Sequence, residues 1–320
     1  MLVSIIIPCY NVENYIEQCL ISALEQTYTN IEIIVIDNNS TDNTRTIVSE
    51  LRKKYPRKIQ FFEEKKQGAP AARNLGTIKA NGEWIQYLDA DDLLKPRKIE
   101  HQIRLIKESK SNPDLVFGTQ IYQFKSGKKV IFEPHEGDVL QALYFSHLGN
   151  TSSSLFKKNA ILRVKLWDEN LRCGQEYDLF FKIITQNAIV IYDYQPSTIV
   201  RERKSGQITF SSPRENAITF LEARVGWTNY LSEVQPEWVS EHKEVIKDAY
   251  YKYILSLSRV DTLTAIKYHS KYLGKDYIPK AKRDNGIDRF QELGYRLFGF
   301  KKWIILQKKI IPVVKKILKR

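Results

Sequence analysis

Short apolar runs alternating with amphipathic stretches organise the first third of the chain. Residues 2–7 form a β-branched-rich run stopped by Pro8. Tyr15, Ile16, Cys19, Leu20, Ala23 and Leu24 then recur at helical spacing through 14–26. A second run at 31–36 is closed by Asp37-Asn38-Asn39-Ser40, and Thr41 or Asp42 stands where a helix cap is needed before Ile47, Val48 and Leu51. A third run covers 59–62 and a fourth 84–88, separated by a Gly-Ala-Pro turn that opens a helix over 70–79. Runs this short and this apolar suit parallel strands covered on both faces, so the pattern predicts an α/β sheet.

From residue 115 the alternation loosens. Residues 115–124 and 129–132 read as an antiparallel pair around Ser126-Gly127, followed by helical patterns at 138–145 and 178–186 and a strand at 188–194. Beyond 211 the pattern is helical throughout, at 215–231, 236–257 and 261–273. Asp284-Asn285-Gly286 marks a break before a basic, apolar ending. The expected organisation is a body at 1–210, a helical extension at 211–285 and a basic amphipathic tail at 286–320.

An apolar fraction of 42% with 12% aromatics belongs to a folded protein. The formal charge of +13 leaves nucleic acid, acidic lipid or a polyanionic substrate open as partners. Its distribution narrows the choice: no acid follows Glu292, whereas Arg296, Lys301, Lys302, Lys308, Lys309, Lys315, Lys316, Lys319 and Arg320 do. Much of the excess is therefore a property of the tail. Cys9, Cys19 and Cys173 are an odd number with no Cys-x-x-Cys pair, which argues against zinc or a disulfide framework and for a reducing compartment. The run at 2–7 is too short for a secretory leader, and no stretch approaches the ~20 apolar residues of a spanning helix. A cytoplasmic body is expected.

The chemistry gathers at the strand ends. Leu88-Asp89-Ala90-Asp91-Asp92 crowds carboxylates that repel one another unless a cation sits among them, and hard ions such as Mg²⁺ or Mn²⁺ take oxygen ligands together with substrate phosphates. Alone, such a cluster is most often a plain solvated turn. Strand one, however, ends in Pro8-Cys9-Tyr10-Asn11 with Glu13 close behind, strand two in Asp37, and strand three is followed by Gln67 to Asn74 with Arg73 near its end. Ligands of open α/β sheets bind outside the carboxyl ends of the strands. The inventory suits a nucleoside diphosphate: Tyr10 to pack the base, Asp37 to accept from a base N–H, Arg73 to offset anionic charge, and Asp91 to hold the ion between the phosphates.

In order and spacing, Ser4 to Asn11, Ile36 to Asp42, Gly68 to Gly76 and Leu88 to Asp92 resemble the successive signatures of family 2 glycosyltransferases. The resemblance reaches to about Gln186. It implies a GT-A fold, a Rossmann-like mixed sheet flanked by helices, with a nucleotide-binding half at 1–115 and an acceptor half at 116–210. Position by position it implies that Pro8, Tyr10 and Glu13 line the nucleotide pocket, Asp37 contacts the base, Arg73 lies beside the nucleotide, Asp89 lies near the ribose, and Asp91 ligates Mn²⁺ or Mg²⁺. Asn11, Asn38 and Ala90, inside the same motifs, complete the nucleotide-binding set. One departure is Asp37-Asn38-Asn39-Ser40, where the family usually shows Asp-Asp-Gly-Ser. Asn tolerates a left-handed backbone, so the turn can survive.

Inverting transfer needs a carboxylate to take the proton of the acceptor hydroxyl. Gly174-Gln175-Glu176-Tyr177-Asp178-Leu179-Phe180 resembles the family's Glu-Asp pair followed by an aromatic, Asp and Leu. Gln175 replaces the Glu and Glu176 stands at the catalytic Asp, which makes Glu176 the first candidate base. Asp178 is the second, with a helix cap as its alternative. The implied activity is an inverting transfer from a nucleotide-sugar donor, expected to be UDP-linked, to a carbohydrate or lipid-linked oligosaccharide of a bacterial surface polysaccharide.

Other features fall away. Gly294 to Lys301 lacks the Gly-Lys-Ser/Thr of a phosphate-binding loop. His101, His135, His147, His242 and His269 show no metalloprotease spacing, and no Gln-x-x-Arg-Trp marks a processive synthase. Arg201-Glu202-Arg203-Lys204-Ser205 could meet a donor diphosphate or an anionic acceptor, although a solvated loop is the simpler reading. A nucleotidyltransferase is a rival, but it would carry a Gly-rich, Arg-containing loop after strand one, and Pro8-Cys9-Tyr10-Asn11 is not one. Lysine pairs at 301/302, 308/309 and 315/316 oppose Trp303, Leu306, Ile310, Val313, Val314 and Ile317. Such a helix suits either an anionic membrane surface, giving peripheral attachment on the inner face of the cell membrane, or docking on the protein's own body. A non-enzymatic module that binds lipid or nucleic acid through this tail is the remaining alternative, with nucleic acid the less favoured partner.

Overall fold

The computed structural model describes residues 1–203, 212–274, 277–279 and 286–317, the last of these by its side chains over 292–308 only. The chain divides into two compact units, Met1–Gln207 and Ile208–Arg320.

The first unit carries β1 (Val3–Cys9), α1 (Ile16–Leu24), β2 (Ile31–Asp37), α2 (Thr44–Lys54), β3 (Ile59–Glu63), α3 (Ala69–Lys79), β4 (Trp84–Tyr87), β5 (Leu93–Leu94), α4 (Lys98–Glu108), β6 (Leu115–Gln123), β7 (Lys129–Phe132), α5 (Val139–Tyr144), β8 (Leu155–Lys157), α6 (Lys158–Arg163), α7 (Gln175–Ile184) and β9 (Val190–Arg201). Nine strands form one sheet ordered β3-β2-β1-β4-β8-β6-β9-β5, with β7 paired to β6. β3, β2, β1 and β4 run parallel. β8 is antiparallel to both β4 and β6, so β6 again points the same way as β4. The expected mixed α/β sheet flanked by helices is thus observed.

Burial explains the order. The side chains of β1 from Val3 to Ile7 and of β2 from Ile33 to Ile36 are inaccessible to solvent, as both faces of a central parallel strand must be. One core joins Ile5, Ile7, Ile33 and Val35 to Ile16, Cys19 and Leu20 of α1 and to Ile99 and Ile103 of α4. On the other face Gly76 of α3 lies so close to β1 that an added Cβ would sit 2.4 Å from Ile6.

Several boundaries differ from the sequence reading. Pro8 does not stop β1. The Cys9 carbonyl accepts from Asn38 N on the β2 side and the Ile6 carbonyl from Leu88 N on the β4 side. By alternation Pro8, which has no N–H, faces β4 where that ladder has already ended at Tyr87. The helix after β2 begins at Thr44; Asp42 Oδ1 accepts from Thr44 N at 3.0 Å, and Glu13 of a neighbouring loop accepts from Asn43 N at 3.0 Å. β5, α4, α6 and β8 were not anticipated. β9 continues past residue 194 to Arg201 across a register shift opposite Gly118–Gln120.

The second unit is helical: α8 (Pro213–Val234), α9 (Pro236–Glu241), α10 (Lys243–Val260), α11 (Thr262–Tyr272) and α12 (Gly286–Ile317). The single helix expected over 236–257 is broken at His242, and α12 bends at Gly299, whose φ of 66° is left-handed. Arg224 is wholly buried, its guanidinium 4.5 Å from the rings of both Trp227 and Tyr253. In α12 Phe300 stacks on His269 at 4.0 Å, and Tyr295 meets Tyr251 edge-on at 5.7 Å. Trp303 is buried against Tyr295 and Phe298. Over this stretch the apolar side packs within the unit while Lys301, Lys302 and Lys308 are exposed. The expected lysine pair at 315/316 and the apolar positions from Ile310 onward lie outside the described side chains. Among the described residues no helix is long and apolar enough to cross a membrane.

Candidate functional site

The parallel ladder sets Cys9 of β1 beside Asp37 of β2, and Leu88 N bonds the Ile6 carbonyl at the end of β4, so the strand tips open at one edge of the sheet. Asp37 is fully buried. Its Oδ2 accepts from Ser40 N at 3.2 Å and from Arg45 Nε at 2.7 Å, while Oδ1 has no protein hydrogen-bond partner. Asn38, also buried, works in both directions. Its amide donates to the carbonyls of Glu64 and Lys66 at 2.8 and 2.7 Å, and its Oδ1 accepts from Gly68 N at 2.7 Å. It therefore pins the loop that leads into α3, where an ionised Asp could accept but not donate. Asn39 has φ 68°, the left-handed conformation anticipated for this position.

Tyr10 is exposed at this rim and Pro8 is half-buried beside it. Asn11 holds a left-handed φ of 49°, and its Oδ1 accepts from Thr41 N at 2.8 Å. Glu13 accepts from both the backbone and the side chain of Asn43. Asn11 and Glu13 thus tie the β1 tip to the turn after β2, so their contacts are with the protein's own backbone as well as the rim.

The acidic turn is differentiated residue by residue. Asp89 is one-third exposed, and its Oδ1 lies 2.7 Å from Arg73 Nη2. Ala90 is buried in the core under α1. Asp92 is buried and structural: its Oδ2 accepts from Ser152 Oγ at 2.8 Å and its Oδ1 from Arg201 N at 3.2 Å. Burial, and then the charges of Asp91 and Asp89, push its pKa well up. Burial also raises the pKa of Asp91, with Asp89 adding to the effect and Arg203 opposing it.

Arg73 of α3 is 6% exposed. Its guanidinium packs 4.7 Å from the Trp167 ring, donates from Nη1 to Gln175 Oε1 at 2.9 Å and reaches Asp89 with Nη2. Gln175 in turn donates to the Leu171 carbonyl at 2.9 Å. The first residue of α7 is thereby joined to the acidic turn through one buried cation. Glu176 follows at once, half-buried in the first turn of a helix whose entry, Gly174, takes a left-handed φ of 68°. Asp178 is not a cap. It pairs with Lys182 one turn on at 2.7 Å, and burial raises its pKa in spite of that pairing.

Of the segment Arg201 to Ser205, read from sequence as a solvated loop, Lys204 and Ser205 lie outside the described residues, and for Arg201 and Arg203 that reading fails. Arg201 at the end of β9 donates from Nε to the Asp91 carbonyl and from Nη1 to Gln18 Oε1. Arg203 Nε stands 3.6 Å from Asp91 Oδ2, and both guanidiniums lie over the Tyr15 ring at 5.3 and 5.4 Å. Ser152, Trp167 and Gln26, which bonds the Lys95 carbonyl behind the turn, carried no sequence signal, because their roles depend on contacts across 60 or more residues. Arg201 and Arg203 carried a signal in charge alone.

Among the described residues no group of three or more acids, cysteines or histidines is gathered to hold a metal. The acidic turn offers Asp91, mostly buried with Arg203 at charge-contact distance, and Asp89 with one oxygen engaged by Arg73. One or two carboxylates of this kind fit Mg²⁺ or Mn²⁺ completed by substrate phosphates, and do not fit a cage built wholly from protein.

The sequence profile of "Glycosyl transferase family 2" matches residues 4–171. An uncharacterized glycosyltransferase of Rickettsia typhi is 35% identical over 206 residues, covering 61% of this chain and 62% of its own length. One of Rickettsia felis is 30% identical over 74% of this chain, but only 39% of its own length is matched, so the chain spans part of these relatives. A crystal structure of S. aureus TarS 1–349 in complex with UDP-GlcNAc superposes with a TM-score of 0.59 at 20% identity, covering 93% of this chain and 92% of that one. The mannosyltransferase PcManGT from Pyrobaculum calidifontis, in complex with GDP-Man and Mn²⁺, does so with a TM-score of 0.54 at 17% identity over 96% and 83%. These likenesses give a GT-A sheet, and the profile covers more than half of the residues. The chain belongs to glycosyl transferase family 2.

Proposed function

We propose that this chain is an inverting, divalent-metal-dependent glycosyltransferase. It would move a sugar from a nucleotide diphosphate donor, UDP-linked, to a hydroxyl of a carbohydrate, the acceptor being a lipid-linked oligosaccharide in bacterial surface polysaccharide assembly. The observation that carries this reading is the Gln175–Arg73–Asp89 chain, which couples the helix bearing Glu176 to the acidic turn bearing Asp91. Similarity adds support for the substrate class: TarS binds UDP-GlcNAc, PcManGT binds GDP-Man and Mn²⁺, and a minor teichoic acid biosynthesis protein of Bacillus subtilis is 26% identical over 76% of this chain.

In this reading Asp37 Oδ1, buried without a protein donor, takes an N–H of the base, and Tyr10 covers its ring. Asp91, with Asp89 beside it, holds Mn²⁺ or Mg²⁺. The bound cation would offset charge on the departing diphosphate. Glu176 takes the proton of the acceptor hydroxyl as its oxygen bonds to the anomeric carbon and the carbon–phosphate oxygen bond breaks, the diphosphate leaving with the electron pair. Asp178, held by Lys182, supports the same helix turn rather than the proton transfer. The basic tail has membrane attachment as its proposed role only beyond Lys308, because Phe300, Trp303 and Ile304 are already buried. Mn²⁺-dependent release of the nucleoside diphosphate across a panel of nucleotide sugars tests the activity; a purified, folded chain that turns over none of them, with or without oligosaccharide acceptors, overturns it.

A further inference from the structure

The acidic turn already has a cation of its own. Arg203 Nε lies 3.6 Å from Asp91 Oδ2, and both side chains are 17% exposed. The contact is one of charge: this Nε makes no hydrogen bond. The same guanidinium reaches the Asn11 carbonyl with Nη2 at 3.4 Å and rests 5.4 Å from the Tyr15 ring. Arg201 is engaged differently, donating to the Asp91 carbonyl and to Gln18, so hydrogen bonds to the turn hold it while its charge, like that of Arg203, acts on the Asp91 carboxylate.

Resting on the reading of Asp91 as the metal ligand, we propose that Arg203 and the divalent cation compete for that carboxylate, so that the ion binds tightly only together with the donor diphosphate. A divalent cation and a guanidinium within a few ångströms of one largely buried carboxylate repel each other strongly. A diphosphate brings acceptor oxygens for both: it completes the ion's shell and offers Arg203, whose planar fork suits phosphate, a better partner than a 3.6 Å charge contact. The consequence is ordered assembly. The protein does not load the metal ahead of its donor, and the Asn11–Arg203–Asp91 bridge across the cleft opens when the donor enters.

The test is Mn²⁺ binding to the full chain, read from the EPR signal of free aqueous Mn²⁺, with and without UDP. Wild type is expected to bind Mn²⁺ weakly alone and more tightly with UDP. Arg203→Ala and Arg203→Gln, the second retaining much of the side chain's length, should bind Mn²⁺ alone roughly tenfold more tightly and lose most of the gain from UDP. Arg203→Lys should stay near wild type, and far-ultraviolet circular dichroism checks that each variant folds. Unchanged or weaker Mn²⁺ affinity in folded Arg203→Gln without UDP overturns the competition. Failure of wild type and variants alike to bind Mn²⁺, while UDP still binds, instead sinks the metal reading beneath it, and binding that survives Asp91→Ala does the same.

Discussion

Arg73 donates to Gln175 across 102 positions of sequence at 2.9 Å, and the same guanidinium holds Asp89 at 2.7 Å. A neutral Gln at 175 suits this arrangement. Its oxygen accepts from Arg73 and its amide donates to the Leu171 carbonyl, which a carboxylate could not do. Arg73 therefore acts here as a brace between the acidic turn and α7.

Removing the brace should misplace the proposed base more than weaken donor binding. Gln175→Ala is expected to lower kcat about 10- to 100-fold with KM for the donor changed little, because small displacements of a catalytic group cost rate steeply. Arg73→Ala removes a buried, stacked cation and should also cost about 1–3 kcal/mol of stability. Steady-state kinetics beside a thermal melt separate the two effects. A Gln175→Ala enzyme with wild-type kcat would show that the link has no role in positioning.

Asp91→Ala and Glu176→Gln should each reduce transfer by at least about 10³-fold, the scale of losing a main electrostatic or acid–base contribution. Their melting temperatures should stay within a few degrees of wild type. UDP affinity in Glu176→Gln should be unchanged by calorimetry, since the base acts on the acceptor. Substantial turnover in either variant refutes its assigned role.

Asn38→Asp restores the residue usual in the family and should nevertheless destabilise this protein. The new carboxylate would face the carbonyls of Glu64 and Lys66, which the amide now satisfies at 2.8 and 2.7 Å. A loss of about 1–3 kcal/mol is expected from turning buried acceptors against an acceptor. Urea denaturation of both proteins measures it, and equal stability would mean that the loop before α3 adjusts freely.

Lys98 opens α4 with no solvent exposure, bonded to Gln86 Oε1, and burial lowers its pKa to about 7 although the nearby charge of Asp193 opposes the shift. The folded chain thus releases this proton above about pH 7, whereas an unfolded chain holds it to about 10.4. Through that window the unfolded state binds more protons, so the contribution of this group to stability improves as pH rises. Lys98→Met should accordingly stabilise the protein most at pH 6 and least near pH 10. Denaturation curves across that range check the sign; a difference that widens with pH would mean that the buried amine titrates elsewhere.

The legible part of the fold was its repeating part. The apolar runs at β1 to β4 and the helices between them follow from periodicity, because a strand buried on both faces and a helix buried on one each impose a pattern on their own residues. The left-handed Asn39 was legible for the same local reason. β8 is three residues long and β5 only two, too short for any periodicity to register, and they exist because neighbours complete their ladders. Pro8 misled in the opposite direction: its missing N–H matters only on a side where a partner strand continues, and β4 has stopped there.

Within the candidate site, residue types and their order named the carboxylates and the rim. Spacing alone could not divide their labour. Asp92 belongs to Ser152, Glu13 to Asn43, Arg73 to Gln175 and Arg203 to Asp91, and each of these pairings joins positions 30 or more apart. A local pattern records which groups a segment must bury or cap. Which charge neutralises which is an energy that depends on distance and burial in space, so the partition of the acidic turn into a structural Asp92 and a countered Asp91 was decided by the tertiary structure.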